Sequence, residues 1–204
     1  MTTYALDQFI SCPMCNATLR RKIIASGNTF LSTFWSDGYL HAPMLPLTVK
    51  TTRCPGCNKS FFVEDANEID QVTIDRDNVP IIEAAKSDAL LELIEQTKDQ
   101  ERICYLRVQI WHKLNHPLRG KDKMNMPVRP AGFDENLERL IGLLVNDKGQ
   151  GQLMKSEALR QSGKHDESIA TLNGIDPSLA WAIDQIRTFA ENGDAVVRKL
   201  DRPE

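Results

Sequence analysis

The chain has 204 residues, of which 41% are hydrophobic and 26% charged, and its formal net charge is −3. This composition is that of an ordinary globular protein, and the length allows one sizeable domain or two small ones. No apolar run reaches the roughly 18 residues of a membrane-spanning helix, and residues 1–10 lack the basic flank and apolar core of a secretory signal. We therefore expect a cytoplasmic protein.

Four of the five cysteines form two Cys-x-x-Cys knuckles, Cys12/Cys15 and Cys54/Cys57. Two such pairs are the ligand set of a tetrahedral structural zinc site, and four thiolates leave no open position for catalysis. A redox role would need a knuckle that opens a helix in a βαβ unit, which neither does. We predict one structural Zn²⁺, and a buried, inert thiol at Cys104 inside a helical pattern.

The two knuckles match each other in sequence. Proline follows the first cysteine of each, and asparagine follows the second (Asn16 and Asn58), which suits the left-handed backbone of a knuckle turn. Segments with strand composition flank them at residues 17–24, 47–53 and 60–63. The pattern predicts a small, β-rich, rubredoxin-like zinc ribbon over residues 1–65.

The 38 residues between Cys15 and Cys54 are more than such a fold needs. Gly27 and Asp37-Gly38 indicate turns, and the prolines near residue 45 indicate an extended segment. The large side chains of this spacer either cover the zinc module and dock it on the helices, or form a recognition loop for a partner. The candidate partner-binding residues are Phe30, Phe34, Trp35, Tyr39 and Met44.

Charge is distributed unevenly along the chain. Residues 1–63 carry six basic and two acidic side chains, a net charge of +4, which four thiolates and one Zn²⁺ would reduce to +2. This is a weak basis for binding a polyanion. The candidate nucleic-acid-binding residues are Arg20, Arg21, Lys22, Lys50 and Arg53.

Residues 66–80 are acidic and polar and indicate a linker or an edge strand at 71–74, and residues 81–204 have helical periodicity. His112 and His116 are spaced to face one metal ion, but no third ligand is apparent, and a solvated helix end explains them. The loop 117–132, rich in Pro, Gly and Lys, is expected to be solvated. The predicted helices are 81–97, 99–115, one capped by Asp134, 152–161, 166–172, 177–191 and 194–200.

The segment Leu153–Pro177 resembles one tetratricopeptide-type repeat. The resemblance rests on Leu159, the turn residue Gly163, Ile169, Leu172 and Pro177. The segment departs from the pattern at Gln152, Lys155, His165 and Ser168. A single degenerate repeat at about 150–177 implies a helical hairpin, because a concave peptide groove needs about three repeats. The predicted fold class is α+β: a zinc ribbon followed by an all-α, tetratricopeptide-like body.

Three further segments, residues 26–30, 35–38 and 42–46, extend the resemblance to most of the chain. With the second knuckle, they are similar to a group of bacterial proteins, without an assigned biochemical activity, that combine a four-cysteine zinc ribbon with tetratricopeptide-like helices. The resemblance implies a fold and a bacterial cytoplasmic setting, and it implies no function.

The sequence contains no phosphate-binding loop, no nucleophile elbow and no glutamate flanked by zinc-binding histidines. We therefore predict a non-enzymatic, zinc-stabilised module that binds a protein partner. The alternative is a nucleic-acid-binding or transcription-linked zinc ribbon. An enzyme whose site is assembled from scattered Asp, Glu and His residues is a third hypothesis.

Overall fold

The computed structural model describes residues 2–70, 78–121, 127–145 and 149–202. Contacts divide the chain into two compact units: unit 1 comprises Met1–Leu31 and Ala42–Lys98, and unit 2 comprises Ser32–His41 and Asp99–Glu204. This grouping differs from the predicted division at residues 65 and 80 in two places. Ten residues of the spacer group with the helices, and the first helix groups with the strands.

Unit 1 is built from short antiparallel strands. These are β1 (Thr3–Tyr4), β2 (Gln8–Ser11), β3 (Thr18–Arg21), β4 (Ile24–Ser26), β7 (Thr51–Arg53), β8 (Ser60–Phe62) and β9 (Asn67–Ile69). They form a β1-β4 pair, a β3-β2-β9 sheet and a β7-β8 hairpin. The core contains Ile10, Leu19, Phe61, Val63 and Ile82 together with the sulfur atoms of Cys12 and Cys54. The mixed α+β class is therefore confirmed, with β9 in the predicted linker.

Helix α1 (Ser87–Gln96) begins six residues after the predicted start at Ile81. Before it, the chain is extended, since the Ile82 amide donates to the Arg20 carbonyl and the Ala85 amide donates to the Thr51 carbonyl. These amides are engaged by strands, so they are not available to a helix. The predicted edge strand at 71–74 lies outside the described residues.

Unit 2 contains five helices among its described residues: α2 (Gln100–Asn115), α3 (Phe133–Leu143), α4 (Gln150–Gln161), α5 (His165–Thr171) and α6 (Ala180–Glu191). Its main core gathers Trp111, Leu118, Phe133, Leu137 and Leu140. The cap of α3 is Gly132, with φ of +77°, and Asp134 lies in the first turn instead of capping the helix as predicted. No helix within the described ranges is long and apolar enough to cross a membrane.

Helices α4 and α5 form a hairpin around Gly163, whose φ of +82° gives the left-handed turn. Inside the hairpin, the Ser156 hydroxyl donates to the Ser168 carbonyl at 2.9 Å. The helical C-terminal body is thus confirmed, and the likeness to a tetratricopeptide repeat stays a prediction.

A three-stranded sheet also belongs to unit 2, in the order β10-β5-β6. The strands are β5 (Thr33–Trp35) and β6 (Leu40–His41) from the spacer, and β10 (Lys199–Leu200). The predicted helix over 194–200 is therefore wrong. Gly193 has a φ of +59°, the Asp194 carboxylate accepts from the Val196 amide at 3.0 Å, and the chain then extends to pair with β5.

Candidate metal centre

The four knuckle cysteines meet at one point of unit 1. Their sulfur atoms all lie within 4.8 Å of one another. The Sγ atoms of Cys12 and Cys57 are 3.8 Å apart, and those of Cys15 and Cys54 are 3.7 Å apart. A tetrahedron with metal–sulfur bonds of about 2.3 Å has edges of about 3.8 Å. The four sulfurs are therefore spaced to bind one tetrahedral metal ion.

Each knuckle positions its sulfurs through the same backbone turn. The amides of Asn16 and Asn58 donate to the carbonyls of Cys12 and Cys54 at 2.9 and 2.8 Å, and both asparagines have a positive φ, 59° and 57°. The same turn also directs one backbone amide at a sulfur in each knuckle. The Met14 amide donates to the Cys12 Sγ at 3.4 Å, and the Gly56 amide donates to the Cys54 Sγ at 3.3 Å. Amide donors of this kind stabilise thiolate ligands.

Gly56 occupies the one knuckle position where a side chain would be crowded. A Cβ atom there would lie 3.3 Å from the Ala17 Cβ and 3.6 Å from the Cys54 Sγ. Met14, at the equivalent position of the first knuckle, is an exposed side chain. The glycine thus allows the second knuckle to approach the first.

The four cysteines of the cluster differ in their exposure to solvent. Cys12 and Cys54 are fully buried, Cys15 is exposed and Cys57 is half-buried. Burial raises the pKa of the Cys12 thiol. At Cys15, a backbone hydrogen bond from Ala17 lowers the pKa, but the neighbouring Cys57 sulfur and burial raise it, to about 12 overall. At Cys54, burial acts to raise the pKa, but hydrogen bonds from the Cys57 and Gly56 amides and from the neighbouring thiols lower it overall. Cys12 and Cys15 thus resist ionisation by themselves, and a bound dication would reverse this because coordination deprotonates the thiol.

Four protein ligands complete a tetrahedron, so the arrangement suits a closed structural site and leaves no position for a substrate. A set of four sulfur donors selects zinc or iron over harder cations.

Among the described residues, no other group of three or more His, Cys, Asp or Glu side chains is arranged to hold a metal, so His112 and His116 do not form a site there. Cys104 is half-buried outside the cluster, and burial raises its pKa, as expected of an inert thiol.

The five predicted partner-binding residues are divided between the units. Phe30 is 66% exposed and Met44 is half-buried in unit 1. The other three lie on the β5-β6 hairpin in unit 2, where Phe34 contacts Trp181 edge-on, Trp35 packs on the main core and Tyr39 contacts the His112 ring.

The five predicted nucleic-acid-binding residues lie in unit 1, and all of them contact other groups of the chain. Arg53 donates to Asp88 at 2.5 Å and to Glu92 at 3.1 Å. The remaining contacts are as follows: Arg20 lies 3.7 Å from Asp7, Arg21 donates to Gln8 at 3.5 Å, the Lys22 ammonium lies 5.6 Å from the Tyr4 ring centre, and the Lys50 carbonyl accepts from the Val63 amide at 2.9 Å.

A buried polar cluster around Asp37 was not predicted, because Asp37-Gly38 was interpreted only as a turn. The Asp37 carboxylate is fully buried and accepts from Asn115 at 2.9 Å, from Arg119, and from the Tyr39 amide at 3.2 Å. Its backbone carbonyl accepts from His112 Nε2 at 3.0 Å, which fixes the tautomer that carries the proton on Nε2.

A second buried cluster centres on Glu157 and Arg160, which are both fully buried. Glu157 accepts from Ser36, Arg160 and Gln161, each at 2.6 Å, and Arg160 also donates to the Val196 carbonyl at 2.6 Å. At spacings of three and four residues, these side chains look like a surface ion pair on a helix. Their burial becomes evident only from their partners Ser36 and Val196, which lie far from them in the sequence.

Comparison with known proteins adds no relative: no protein-family model, curated protein or solved structure matches the chain. The candidate metal centre is thus supported by its own geometry.

Proposed function

We propose that this chain is a non-enzymatic, cytoplasmic bacterial protein-interaction module in which one structural Zn²⁺ folds a rubredoxin-like ribbon. Support for zinc comes from the closed set of four thiolates on two matching knuckles. Cys12 and Cys54 belong to the apolar core of unit 1, so an ion bound by them would also hold that core together.

The observation that carries the interaction function is the uneven distribution of exposed large apolar side chains, of which unit 1 carries eight and unit 2 carries two among the described residues. Isolated exposed apolar residues are normal, but clusters of them mark interaction sites. Phe30 and Leu31 are adjacent, 66% and 68% exposed, and Leu47 is 69% exposed. Among the described residues, the large apolar side chains that stand exposed in unit 1 are Tyr4, Leu6, Met14, Phe30, Leu31, Leu47, Ile81 and Leu91, against Val128 and Val145 in unit 2.

The helical unit supplies a second interaction scaffold. The α4-α5 hairpin is consistent with one tetratricopeptide-like repeat, and the following α6 packs against α5. Helical hairpins of this kind commonly present surfaces to other proteins. The proposal assigns binding to such surfaces and no chemistry to any residue.

The test is capture of partners from native extract by the tagged chain, with identification by mass spectrometry. We expect Phe30→Asp to lose a defined protein partner that Val128→Asp retains, since both changes place a charge at an exposed apolar position. Equal capture by the wild type and both variants would contradict a role for Phe30, and absence of any specific partner would contradict the function itself.

The nucleic-acid alternative is favoured by one contact, the Lys22 ammonium over the exposed Tyr4 ring, which places an aromatic side chain beside a basic one directly after β3. It predicts that the captured material disappears on nuclease treatment and that neutralising Arg20, Arg21 and Lys22 weakens binding and its salt dependence. Capture that survives nuclease and high salt would count against it.

A further inference from the structure

The segment Arg198–Arg202 is held by the rest of unit 2 in the way that binding proteins hold an extended peptide. Lys199 and Leu200 pair antiparallel with Trp35 and Phe34 of β5. The pairing continues at Arg198, whose carbonyl accepts from the Ser36 amide at 2.8 Å. Addition of a strand to a sheet edge is a common mode of peptide recognition.

Next to the paired residues, a side-chain amide forms hydrogen bonds with the backbone of the segment. Gln185 on α6 donates to the Asp201 carbonyl at 2.9 Å and accepts from the Asp201 amide at 2.9 Å. A glutamine that satisfies both backbone groups of one residue binds an extended chain without regard to its side chain. It therefore serves as a fixed anchor for a peptide backbone.

Two side chains of the segment occupy specific places. Leu200 is 6% exposed and enters a cluster with Leu172, Ile175, Ala182 and Ile186. The Arg202 guanidinium lies 5.2 Å from the Phe34 ring centre and 5.9 Å from that of Trp181, and arginine suits such stacking better than lysine. Lys199 and Asp201, which alternate with these residues, are exposed. One aliphatic pocket and one aromatic cradle two residues apart thus define the site.

The segment does not fill all of the space beside it. A cleft of about 610 Å³ lies alongside the segment, and its lining includes Trp35 together with Asp184, Thr188 and Phe189 of α6. Few contacts hold residues 199–202, because β10 has two residues and Leu200 is their one buried side chain, whereas Arg198 is fixed by hydrogen bonds to Asp194 and to the Lys121 carbonyl. Elements with so few contacts open locally before the whole domain unfolds.

We propose that the groove between β5 and α6 is a peptide-binding site, that residues 198–202 occupy it as an internal ligand, and that its partner is an extended protein segment with an aliphatic residue followed two positions later by arginine. This inference rests on the proposed interaction function and names one of its surfaces and its partner class. A tethered segment competes at an effective concentration in the millimolar range, so the closed chain binds the partner only weakly.

The test uses the full chain and a labelled synthetic peptide with the sequence of residues 198–204, followed by fluorescence anisotropy. The double variant Leu200→Asp/Arg202→Ala weakens the internal ligand and leaves the groove intact. We expect it to bind the peptide at least about tenfold more tightly than the wild type does, because the competing segment is released. The matched control peptide, with the leucine replaced by aspartate, is expected not to bind.

A groove variant separates binding at this site from binding elsewhere. Gln185→Ala, added to the double variant, removes the backbone anchor and is expected to abolish the gain in affinity. A folded double variant, with wild-type tryptophan emission and circular dichroism, that binds the peptide no better than the wild type would overturn the proposal. So would undiminished binding by the Gln185 variant, or a concentration-dependent dimer of the double variant, which would make a second copy of the chain the occupant.

Hydrogen exchange on the wild type keeps the proposal testable if the double variant does not fold. The Leu200 and Asp201 amides are expected to exchange much faster than the amides of α6, through local opening. Equal protection of both sets would overturn the proposal. If partners are captured and neither the peptide nor the double variant alters the capture, this inference fails and the proposed function stands. If the peptide binds the groove but no partner is captured, the groove is a peptide-binding site and the proposed function fails.

Discussion

At the scale of single residues, the cysteines of the knuckles have different positions relative to solvent. Cys12 and Cys54 belong to the apolar core of unit 1 as well as to the metal cluster, so each connects metal binding with packing. Cys15 is exposed, which places one edge of the cluster at the surface. Loss of a buried ligand should therefore affect both the metal and the core.

Replacement of Cys54 by serine is expected to unfold unit 1 and abolish metal binding. A structural zinc site contributes about 10–16 kcal/mol in small zinc peptides, which exceeds the stability of most domains. Metal content by atomic emission and accessibility of the remaining thiols provide the measurement. Cys104→Ser, outside the cluster, is the matched control and should retain one metal ion per chain. Wild-type metal content in Cys54→Ser would refute the assignment.

His112 makes the stability of unit 2 depend on pH. Burial lowers its pKa below the ordinary value of 6.5, so the unfolded chain binds a proton that the folded chain does not. Stability is therefore complete above about pH 6.5 and falls as the pH drops from there towards the folded-state pKa. Urea unfolding followed by tryptophan emission reports on unit 2, since Trp35, Trp111 and Trp181 all belong to it. His112→Gln should flatten this pH dependence, and an unchanged slope between pH 7 and 5 would contradict the assignment.

At the scale of elements, the β5-β6 hairpin is a part of unit 2 that the sequence places between the two halves of the metal site. Its turn carries Asp37, whose carboxylate faces Arg119 and Asn115 in the interior. Gly38, with φ of +78°, lets the turn close, and a Cβ there would meet Met154 at 3.6 Å. The hairpin is thus held by buried polar contacts as well as by strand pairing.

Asp37→Ala is expected to destabilise unit 2 by about 3–5 kcal/mol, because it leaves the buried Arg119 guanidinium without its counter-charge. Asp37→Asn keeps the shape and part of the hydrogen bonding, so its loss should be smaller. Chemical denaturation followed by tryptophan emission measures both. A loss below about 1 kcal/mol for the alanine variant, the value typical of exposed pairs, would show that the ion pair is not internal.

The elements that could be predicted from the sequence are those whose structure depends on residues close together in the chain. The knuckle spacing identified the four clustered cysteines, and apolar periodicity located α2 and α6 to within a few residues. Residues 81–86 and 194–200 are predicted as helix and are not helical, because their partners Arg20, Thr51 and Trp35 are far away in sequence. The polar cluster at Asp37 was missed for the same reason, since a Ser-Asp-Gly turn has the same sequence on a surface and in an interior.

At the scale of the whole molecule, neither unit is a continuous stretch of chain. The boundaries fall after Leu31, His41 and Lys98, so the chain passes from one unit to the other three times. Truncation at a single site therefore cannot separate them. A fragment that starts at residue 81 lacks β5, β6 and Asp37.

We expect the fragment 99–204 to fold poorly, and a fusion of residues 32–41 through a Gly/Ser linker to that fragment to fold cooperatively. The added residues restore the partner of β10 and the counter-charge of Arg119. Circular dichroism and urea titration of the two proteins are the measurement. A fusion that carries Asp37→Ala is the control and should recover less. Equal cooperativity of the bare fragment and the fusion would show that the hairpin is dispensable.

The pairing of β10 with β5 also sets an order of events while the ribosome makes the protein. All four clustered cysteines of the candidate metal centre precede residue 58, whereas Trp35 must wait for Lys199. At about 5–20 residues per second, that delay is about 8–33 seconds. During it, the metal site can be filled, but the edge of β5 has no partner within the chain and is open to mispairing with other strands. The nascent chain should therefore need protection longest at a strand that was among the first parts to emerge.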